Sequence, residues 1–369
     1  MDPVRVGLLG CGTISDAYLS SDDRFDSFEF VACADIDKAV AQETADEYDL
    51  AAYTPAELRE DDSIEAVVNL TPPAAHAQTV EQLLDAGKHV YVEKPIAASV
   101  DDADRIVEAA AESNRLVGSA PDTFLGAGLQ TARSVIDAGR IGEPIGATAI
   151  WTSGGHESWH PNPDFYYHEG GGPLFDMGPY YVTALVSLLG PIERVTGSVS
   201  RAFEERTITS EPRAGDTIDV EVPTHENGVL EFADGTVANL TTSFDVPGGS
   251  TLPSPAFEIY GTKGTIALPD PNHFEGPVRV SDLEANGFEQ VELTHEYTDG
   301  RGAGVADLAM AIRGDWEHRT DAGLARHVLS VLSGVREASE RGRHVGIDAA
   351  DVGRPEPLPA SFPADGRVE

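Results

Sequence analysis

The chain has 369 residues, 41% of them hydrophobic, and a formal net charge of −38 at pH 7, which predicts two folded domains rather than a disordered acidic chain. A chain this negative repels nucleic acid and anionic membrane surfaces, so neither is an expected partner. No stretch is long and apolar enough to span a membrane, and a strand begins too near the start for a signal peptide, so we expect a cytoplasmic protein.

Acidic residues occur along the whole length, while lysine is nearly absent. The lysines are Lys38, Lys88, Lys94 and Lys263. Such a composition is typical of proteins from extreme halophiles, in which molar salt shortens the Debye length to about 3 Å and screens self-repulsion. The two cysteines, Cys11 and Cys33, provide neither a disulfide framework nor a metal quartet.

The chain opens with a pattern typical of dinucleotide-binding domains. Residues 4–9 form a continuous apolar strand, and Gly10-Cys11-Gly12-Thr13-Ile14-Ser15 follows as G-x-G-x-x-G/A with serine in the third position. A second strand over 29–34 ends at Asp35, where an acid can bind the adenosine ribose. The alternative is an ordinary strand–turn–helix. We predict that a dinucleotide contacts Gly10, Gly12, Thr13, Ile14 and Asp35.

Strands and helices then alternate. The pattern predicts helices over 39–48 and 100–113, strands over 65–70, 88–92 and 116–118, and a helix that has His76 in its first turn and stops at Gly87. Repeated βαβ units of this kind form a doubly wound parallel sheet. We therefore predict an N-terminal Rossmann domain over residues 1–122.

The strand over 88–92 runs directly into Glu93, Lys94 and Pro95. In open α/β sheets, ligands bind at the carboxyl ends of the strands. A lysine in that place is either a solvated loop charge or a positioned proton donor. Pro95 restricts the backbone of Lys94, and a chain so poor in lysine still has one here, which favours the functional interpretation.

After residue 145 the pattern changes to longer strands with polar alternation, over 146–152, 194–201, 228–232, 237–244, 257–260 and 265–268. Turns at Asp234-Gly235 and Lys263-Gly264 indicate antiparallel hairpins. Helices are expected over 173–189, 305–316 and 322–341, and the proline-rich tail over 355–369 either wraps or stays loose. We therefore predict a second domain over 123–369, of the α+β type with a large, mostly antiparallel sheet, in a chain of the α/β class overall.

The segment 154–169 is dense in rings and hydrogen-bonding groups. It permits a zinc site, a sugar-facing loop or a polar surface loop with incidental histidines. The zinc ligands would be His156, His160 and His168. The sugar contacts would be a stacked Trp159 and hydrogen bonds from His160 and Asn162. The sugar-facing loop is favoured and no metal is expected, because the segment leads into Gly170-Gly171-Gly172 and Asp176, and its histidines lack the spacing of zinc ligands.

These motifs together resemble the Gfo/Idh/MocA oxidoreductases over nearly the whole chain. The motifs are Gly10-Cys11-Gly12, Thr71-Pro72-Pro73 with His76, Gly87-Lys88-His89-Val90, Glu93-Lys94-Pro95 and Gly170-Gly171-Gly172-Pro173-Leu174-Phe175-Asp176-Met177-Gly178-Pro179-Tyr180. The resemblance implies NAD or NADP as cofactor, and a sugar, inositol or related cyclic alcohol as substrate. It also implies a dimer or a dimer of dimers formed through the sheet of the second domain.

The resemblance also implies roles for individual residues. Lys94 is expected beside the nicotinamide and the reacting hydroxyl, with Asp176 and the residue four later completing the site. That residue is Tyr180, as in the glucose-fructose oxidoreductase-like and dihydrodiol dehydrogenase-like members, whereas inositol dehydrogenase-like members have a histidine. Further cofactor contacts are expected from Thr71, Pro72, His76 and Glu93.

Asp176 and Tyr180 are four residues apart and would share one face of a helix. The alternative is that Asp176 only caps the helix and Tyr180 packs in the core.

The predicted function is hydride transfer between a nicotinamide cofactor and a secondary alcohol. The alternatives are an NAD-dependent glycoside hydrolase on the same fold and a non-catalytic sugar or dinucleotide sensor. NAD is predicted over NADP, because Asp35 repels a 2′-phosphate and no arginine follows within the next turn.

Overall fold

The computed structural model describes residues 2–21, 24–283, 287–314, 316–350 and 352–362. The chain divides into two compact units, the first made of Met1–Gln130, Thr294–Leu329 and Pro355–Glu369, the second of Thr131–Leu293 and Ser330–Arg354. This division differs from the predicted cut after residue 122, because two later segments return to the first unit. No helix in the described ranges is long and apolar enough to cross a membrane.

The first unit contains a six-stranded parallel sheet in the order β3-β2-β1-β4-β5-β6. The strands are β1 (Val4–Leu9), β2 (Phe28–Ala34), β3 (Ala51–Tyr53), β4 (Ala66–Asn69), β5 (His89–Val92) and β6 (Val117–Ser119). The helices between them are α1 (Ser15–Leu19), α2 (Lys38–Tyr48), α3 (Pro55–Glu60), α4 (Pro73–Asp85) and α5 (Val100–Ser113). This strand order confirms the predicted doubly wound sheet, and its switch point lies between β1 and β4.

The burial of the strands explains why this sheet forms. β4 is buried at every position and β1 is exposed only at Arg5, as expected for parallel strands covered on both faces. Local signals start the helices: Thr54 and Glu57 form a capping box at α3, and Ser99 accepts the N–H of Asp102 at α5. Such caps satisfy backbone donors that the first turn of a helix leaves unpaired.

Lys88 has a structural role. It is 3% exposed, and its ammonium group donates to the carbonyl oxygens of Asp61 at 2.6 Å and Ile64 at 2.9 Å. Burial lowers the pKa of this lysine, and the neighbouring Asp62 and Asp61 carboxylates oppose the shift. One of the few lysines of the chain is thus used to join the start of β5 to the segment before β4.

The segment after residue 294 completes the first unit. Helix α9 (Ala303–Arg313) begins so close to β5 that an added Cβ at Gly304 would lie 2.2 Å from the Tyr91 hydroxyl. The fully buried Asp122 accepts the N–H groups of Gly302 and Gly304 at 3.3 and 3.0 Å. The helix predicted over 305–316 therefore belongs to the first unit, because the start of its chain segment is bound to Asp122.

The tail also wraps on the first unit as far as the structure describes it. Leu358 and Phe362 are buried, and the Phe362 ring stacks on Trp316 with centroids 6.1 Å apart. The Leu358 N–H donates to Gln130 Oε1 at 2.9 Å. Residues 363–369 of the predicted tail lie outside the described residues.

The second unit contains a nine-stranded sheet in the order β16-β15-β14-β13-β7-β12-β11-β8-β17. Its strands are β7 (Pro144–Thr152), β8 (Ile192–Ser200), β11 (His225–Phe232), β12 (Val237–Ser243), β13 (Ala256–Gly261), β14 (Gly264–Ala267), β15 (Val278–Asp282), β16 (Glu289–Val291) and β17 (Val345–Gly346). A separate hairpin pairs β9 (Glu205–Thr207) with β10 (Thr217–Asp219). The large sheet is mostly antiparallel, as predicted, but β12 pairs with β7 in parallel.

The second unit has the helices α7 (Pro173–Asp176) and α8 (Gly178–Leu189), together with the later parts of α6 (Ala127–Asp137) and α10 (Ala322–Arg341). Every residue of α8 is buried, as in a core helix. The single helix predicted over 173–189 was wrong, because the chain breaks at Met177 before α8 begins. Pro179 explains the break, since it lacks the N–H that would continue the helix.

Candidate active site

The loop after β1 has the geometry of a dinucleotide cradle. Gly10 has a φ of +101°, and an added Cβ there would lie 3.0 Å from the carbonyl group of Leu70. At Gly12 an added Cβ would meet nothing within 4 Å among the described residues, so the backbone there is open to a pyrophosphate. Ser15, in the third position of the pattern, is buried and donates to the Gly12 carbonyl oxygen at 2.6 Å.

Asp35 is joined to this loop. Its Oδ2 accepts the N–H of Cys11 at 2.9 Å, and its Oδ1 accepts the N–H of Asp37 at 2.9 Å. The carboxylate predicted to bind a ribose is therefore held at the end of β2, beside the glycine loop. Thr13 and Ile14 are exposed on the same loop. The residues present fit a dinucleotide, because the loop leaves room for phosphates and has a fixed acid next to it.

Glu93 organises the turn that carries Lys94. Its Oε2 accepts the backbone N–H of Lys94 at 2.8 Å, and its Oε1 accepts the hydroxyl of Tyr18 at 2.7 Å. Tyr18 lies on α1 and is fully buried. Burial, and next the Glu93 carboxylate, raise the pKa of Tyr18 well above its usual value, so the phenol keeps the proton that it donates. The turn after β5 is thereby attached to the helix after the glycine loop, and Lys94 itself is half-buried.

His76 lies behind the loops and is fully buried. Its Nε2 is 2.6 Å from the Thr71 carbonyl oxygen, and its Nδ1 is 2.8 Å from that of Pro95. Burial lowers the pKa of this histidine, while the two carbonyls and Glu93 oppose the shift. Because its two ring nitrogens contact carbonyl oxygens of both segments, His76 connects the loop after β4 to the turn that carries Lys94.

Thr71 and Pro72 form the loop between β4 and α4. The Thr71 hydroxyl donates to Asn69 Oδ1 at 2.8 Å, and the Asn69 amide nitrogen donates to Thr79 Oγ1 at 2.7 Å. Pro72 precedes the first residue of α4. The loop is therefore held at the end of β4 by buried Asn69, which the sequence pattern did not single out.

In the second unit, Asp176 is the last residue of α7 and Tyr180 lies in the first turn of α8. The two are not on one continuous helix, so their spacing of four residues does not by itself place them on one face. Asp176 Oδ2 lies 3.0 Å from Nε2 of His156. The N-cap of α8 is Met177, where no side-chain capping bond forms within the described residues. Tyr180 is 7% exposed.

An ion pair between buried Glu226 and half-buried Arg336 holds the start of α7. Glu226 Oε2 accepts the N–H of Leu174 at 2.9 Å, and Glu226 Oε1 accepts from Arg336 Nε at 2.6 Å. Arg336 also donates to the Gly171 carbonyl oxygen at 2.9 Å. Burial raises the pKa of Glu226, and Arg336 opposes the rise. The glycine turn before Asp176 is thus fixed by a pair that is distant in sequence.

A second network holds the loop that carries His156. Arg206, on β9, donates to Glu157 Oε1 at 2.6 Å and to the Phe244 carbonyl oxygen at 2.9 Å, and it also pairs with Asp245. The Tyr167 hydroxyl donates to the other carboxylate oxygen of Glu157. Since Arg206 and Tyr167 are buried, this network fixes the main chain next to His156.

The predicted sugar-facing residues have different environments. Trp159 is 59% exposed, and its ring packs edge-on against His156 and His160. His160 Nδ1 accepts the N–H of Asn162 at 3.0 Å, and Asn162 Oδ1 accepts from Arg213 at 2.8 Å. Trp159 therefore has an exposed ring surface on which a sugar can stack. In Asn162, by contrast, the backbone N–H and Oδ1 already form hydrogen bonds within the protein. No group of His, Cys, Asp or Glu side chains in the described part of the chain is placed to hold a metal ion.

Family models match both parts of the chain. Residues 4–120 match the model described as an oxidoreductase family with an NAD-binding Rossmann fold, and residues 129–267 match the GFO/IDH/MocA C-terminal domain.

Individual proteins are similar over most of the chain. A D-xylose 1-dehydrogenase (NADP(+)) 2 of Haloferax volcanii is 26% identical over 348 residues, covering 93% of this chain and 99% of that protein. A dTDP-3,4-didehydro-2,6-dideoxy-alpha-D-glucose 3-reductase of Saccharopolyspora spinosa is 30% identical over 328 residues, 84% of this chain and 91% of that protein. The crystal structure of an NAD binding oxidoreductase from Klebsiella pneumoniae has a TM-score of 0.81 and 22% identity, covering 94% of this chain and 100% of that one.

Proposed function

Because the chain belongs to the Gfo/Idh/MocA family of NAD(P)-binding oxidoreductases, we propose that it transfers a hydride between NAD and a secondary alcohol of a sugar or related cyclic polyol. The observation that carries this proposal is the place of Lys94, two residues after the end of β5, at the carboxyl edge of a sheet in the order 3-2-1-4-5-6. Ligands of open α/β sheets bind at that edge.

The proposed chemistry divides the reaction among the residues of this chain. A bound nicotinamide supplies the hydride acceptor or donor. Lys94 accepts the proton of the substrate hydroxyl, or returns it in the reverse direction. Asp176 and Tyr180, which match the family motif, orient the sugar, and the Tyr180 hydroxyl can donate or accept a hydrogen bond at the reacting oxygen.

A sugar is proposed as substrate because the similar proteins are named as a xylose dehydrogenase and as a reductase of a dTDP-linked deoxysugar. The test is a panel of aldoses, uronates and cyclitols with NAD or NADP, followed by the appearance of reduced cofactor. Turnover that accumulates reduced cofactor supports the proposal. Release of free sugar from a glycoside without reduced cofactor would instead indicate the hydrolase, and binding without turnover would indicate a sensor.

NAD is expected to be preferred over NADP, because the Asp35 carboxylate is held beside the glycine loop and repels a 2′-phosphate. One similar enzyme is named for NADP(+), so membership of the family does not fix the choice between NAD and NADP, and this choice has to be measured. Steady-state kcat/KM with each cofactor is the measurement, and a higher value with NADP contradicts the prediction.

The same prediction has a gain-of-function test at Ile36, which is 96% exposed and follows Asp35. Ile36→Arg adds a guanidinium group and leaves the bond between Asp35 and Cys11 intact. The ratio of kcat/KM for NADP to that for NAD should rise about tenfold, the equivalent of one charge-assisted hydrogen bond. Ile36→Gln is the matched uncharged control and should leave the ratio unchanged.

A homodimer or homotetramer is expected through the uncovered face of the nine-stranded sheet. Val237 is 40% exposed and Val229 is half-buried on this face, while their strand neighbours Ala238 and Leu230 are buried on the other. A sheet face that is left open and is partly apolar favours a partner surface. Light scattering in high salt should show at least twice 39.1 kDa, and Val229→Asp should shift the particle toward the monomer. A wild-type monomer contradicts the prediction.

A further inference from the structure

His156 is enclosed in the second unit next to Asp176. It is 6% exposed, and its ring centroid lies 4.0 Å from that of Tyr166 and 4.6 Å from that of Phe244. Its Nε2 lies 3.0 Å from Asp176 Oδ2. In such a ring-lined environment a hydrogen bond to a carboxylate is stronger than it is in water.

The contact sets the tautomer of the histidine. A carboxylate only accepts hydrogen bonds, so Nε2 must carry the hydrogen. The other nitrogen, Nδ1, is buried with no hydrogen-bond partner among the described residues. A hydrogen on Nδ1 would be an unpaired buried donor, which is unfavourable. The geometry therefore points to an imidazole that donates to Asp176 through Nε2.

The main chain of the histidine is held from both sides. The His156 N–H donates to the Tyr167 hydroxyl at 3.1 Å. The carbonyl oxygen of the next residue, Glu157, accepts the N–H groups of Thr209 and Ser210 at 2.8 and 3.2 Å. The ring therefore has little freedom to turn away from the carboxylate, because its backbone is fixed and the rings of Tyr166 and Phe244 pack against it.

We propose that His156 is a positioning residue for Asp176. This inference rests on the proposed function. Its Nε2–H holds one carboxylate oxygen and so fixes the plane of the carboxylate that orients the sugar. A displacement of a reacting group by about 1 Å can cost about a hundredfold in rate. Removing the N–H donor should therefore affect turnover more than it affects cofactor binding.

The test compares His156→Phe, which keeps a ring and removes the donor, with His156→Gln, which restores an N–H donor. In His156→Phe we expect kcat to fall about tenfold to hundredfold, with a smaller rise in the KM of the sugar and an unchanged Kd for NADH. His156→Gln should recover part of kcat. The matched control is His273→Phe, which removes an exposed histidine 3.9 Å from Asp270 in the same unit and should change none of these values.

A double-mutant cycle separates positioning from a general loss of structure. The variant His156→Phe/Asp176→Ala should be no slower than Asp176→Ala alone, because Asp176→Ala removes the acceptor through which the histidine acts. Fully additive losses, or a His156→Phe enzyme with wild-type kcat, would overturn the proposal.

The same cycle is measured on thermal unfolding midpoints, which require no substrate. If the wild-type protein oxidises no sugar but the midpoints couple, the proposed function fails while the contact stands. If the midpoint shifts of the single variants add without coupling, the contact itself is refuted. Where His156→Phe folds poorly, His156→Leu, which also lacks the donor, takes its place in the cycle with Asp176→Ala.

Discussion

Lys94→Ala is expected to lower turnover on the identified sugar by at least about a hundredfold, the lower end of what a positioned acid–base group contributes. The half-buried Lys94 follows β5, and the Glu93 carboxylate accepts its backbone N–H at 2.8 Å. The substitution leaves that backbone bond and the glycine loop in place. The Kd for NADH should therefore stay close to the wild-type value, while kcat falls.

Two other lysines provide controls. Lys263 belongs to the turn before β14 and is exposed, so Lys263→Ala should leave kcat unchanged. Lys88 is buried, so Lys88→Ala should instead lower the free energy of unfolding by about 1–3 kcal/mol, the cost of leaving buried carbonyls unpaired. Near-UV circular dichroism then separates a chemical defect in Lys94→Ala from a folding defect.

Tyr180→Phe tests how the proton is shared. The loss should be smaller than that of Lys94→Ala if the lysine carries the proton, and comparable if the tyrosine does. If Lys94→Ala and Tyr180→Phe both keep near-wild-type kcat, the proposed site is misassigned.

The parts of the fold that follow a local pattern could be predicted from the sequence. The continuous apolar run of β1, the glycine loop and the acid after β2 lie close together in the chain, and their spacing alone defines a βαβ unit. The observed order of the first sheet confirms this prediction. The hairpins at Gly235 and Lys263 could be predicted in the same way, because the residues that favour a turn are local in the sequence.

The contacts that arrange the site could not be predicted from the sequence, because they join residues that are distant in sequence. His156 and Asp176 are 20 residues apart, and Arg336 is 110 residues from Glu226. No periodicity or spacing links such residues. The break at Met177 has a local signal in Pro179, which lacks the N–H that would continue the helix. The return of α9 to the first unit depends on Asp122, whose burial only the folded structure reveals.

Dialysis into dilute buffer is expected to abolish activity and near-UV ellipticity. With 63 acidic and 25 basic residues the net charge is −38, and folding concentrates that charge. At 1 M salt the Debye length is about 3 Å, and at 0.1 M it is about 10 Å, so repulsion between neighbouring surface carboxylates is screened only in the first case. Activity and ellipticity measured across a KCl series should fall together below about 1 M.

A charge-reversal variant tests whether repulsion is the cause. Glu43 and Glu47 are both exposed on α2, and Glu43→Lys with Glu47→Lys changes the net charge from −38 by four, whereas the matched Glu43→Gln with Glu47→Gln changes it by two. The KCl midpoint should fall for both variants and fall further for the lysine pair, because that pair reduces the net negative charge by four rather than by two. Sucrose, which favours compact states without screening charge, should replace KCl only in part. A wild-type protein that stays fully active in dilute buffer contradicts the halophilic interpretation of the composition.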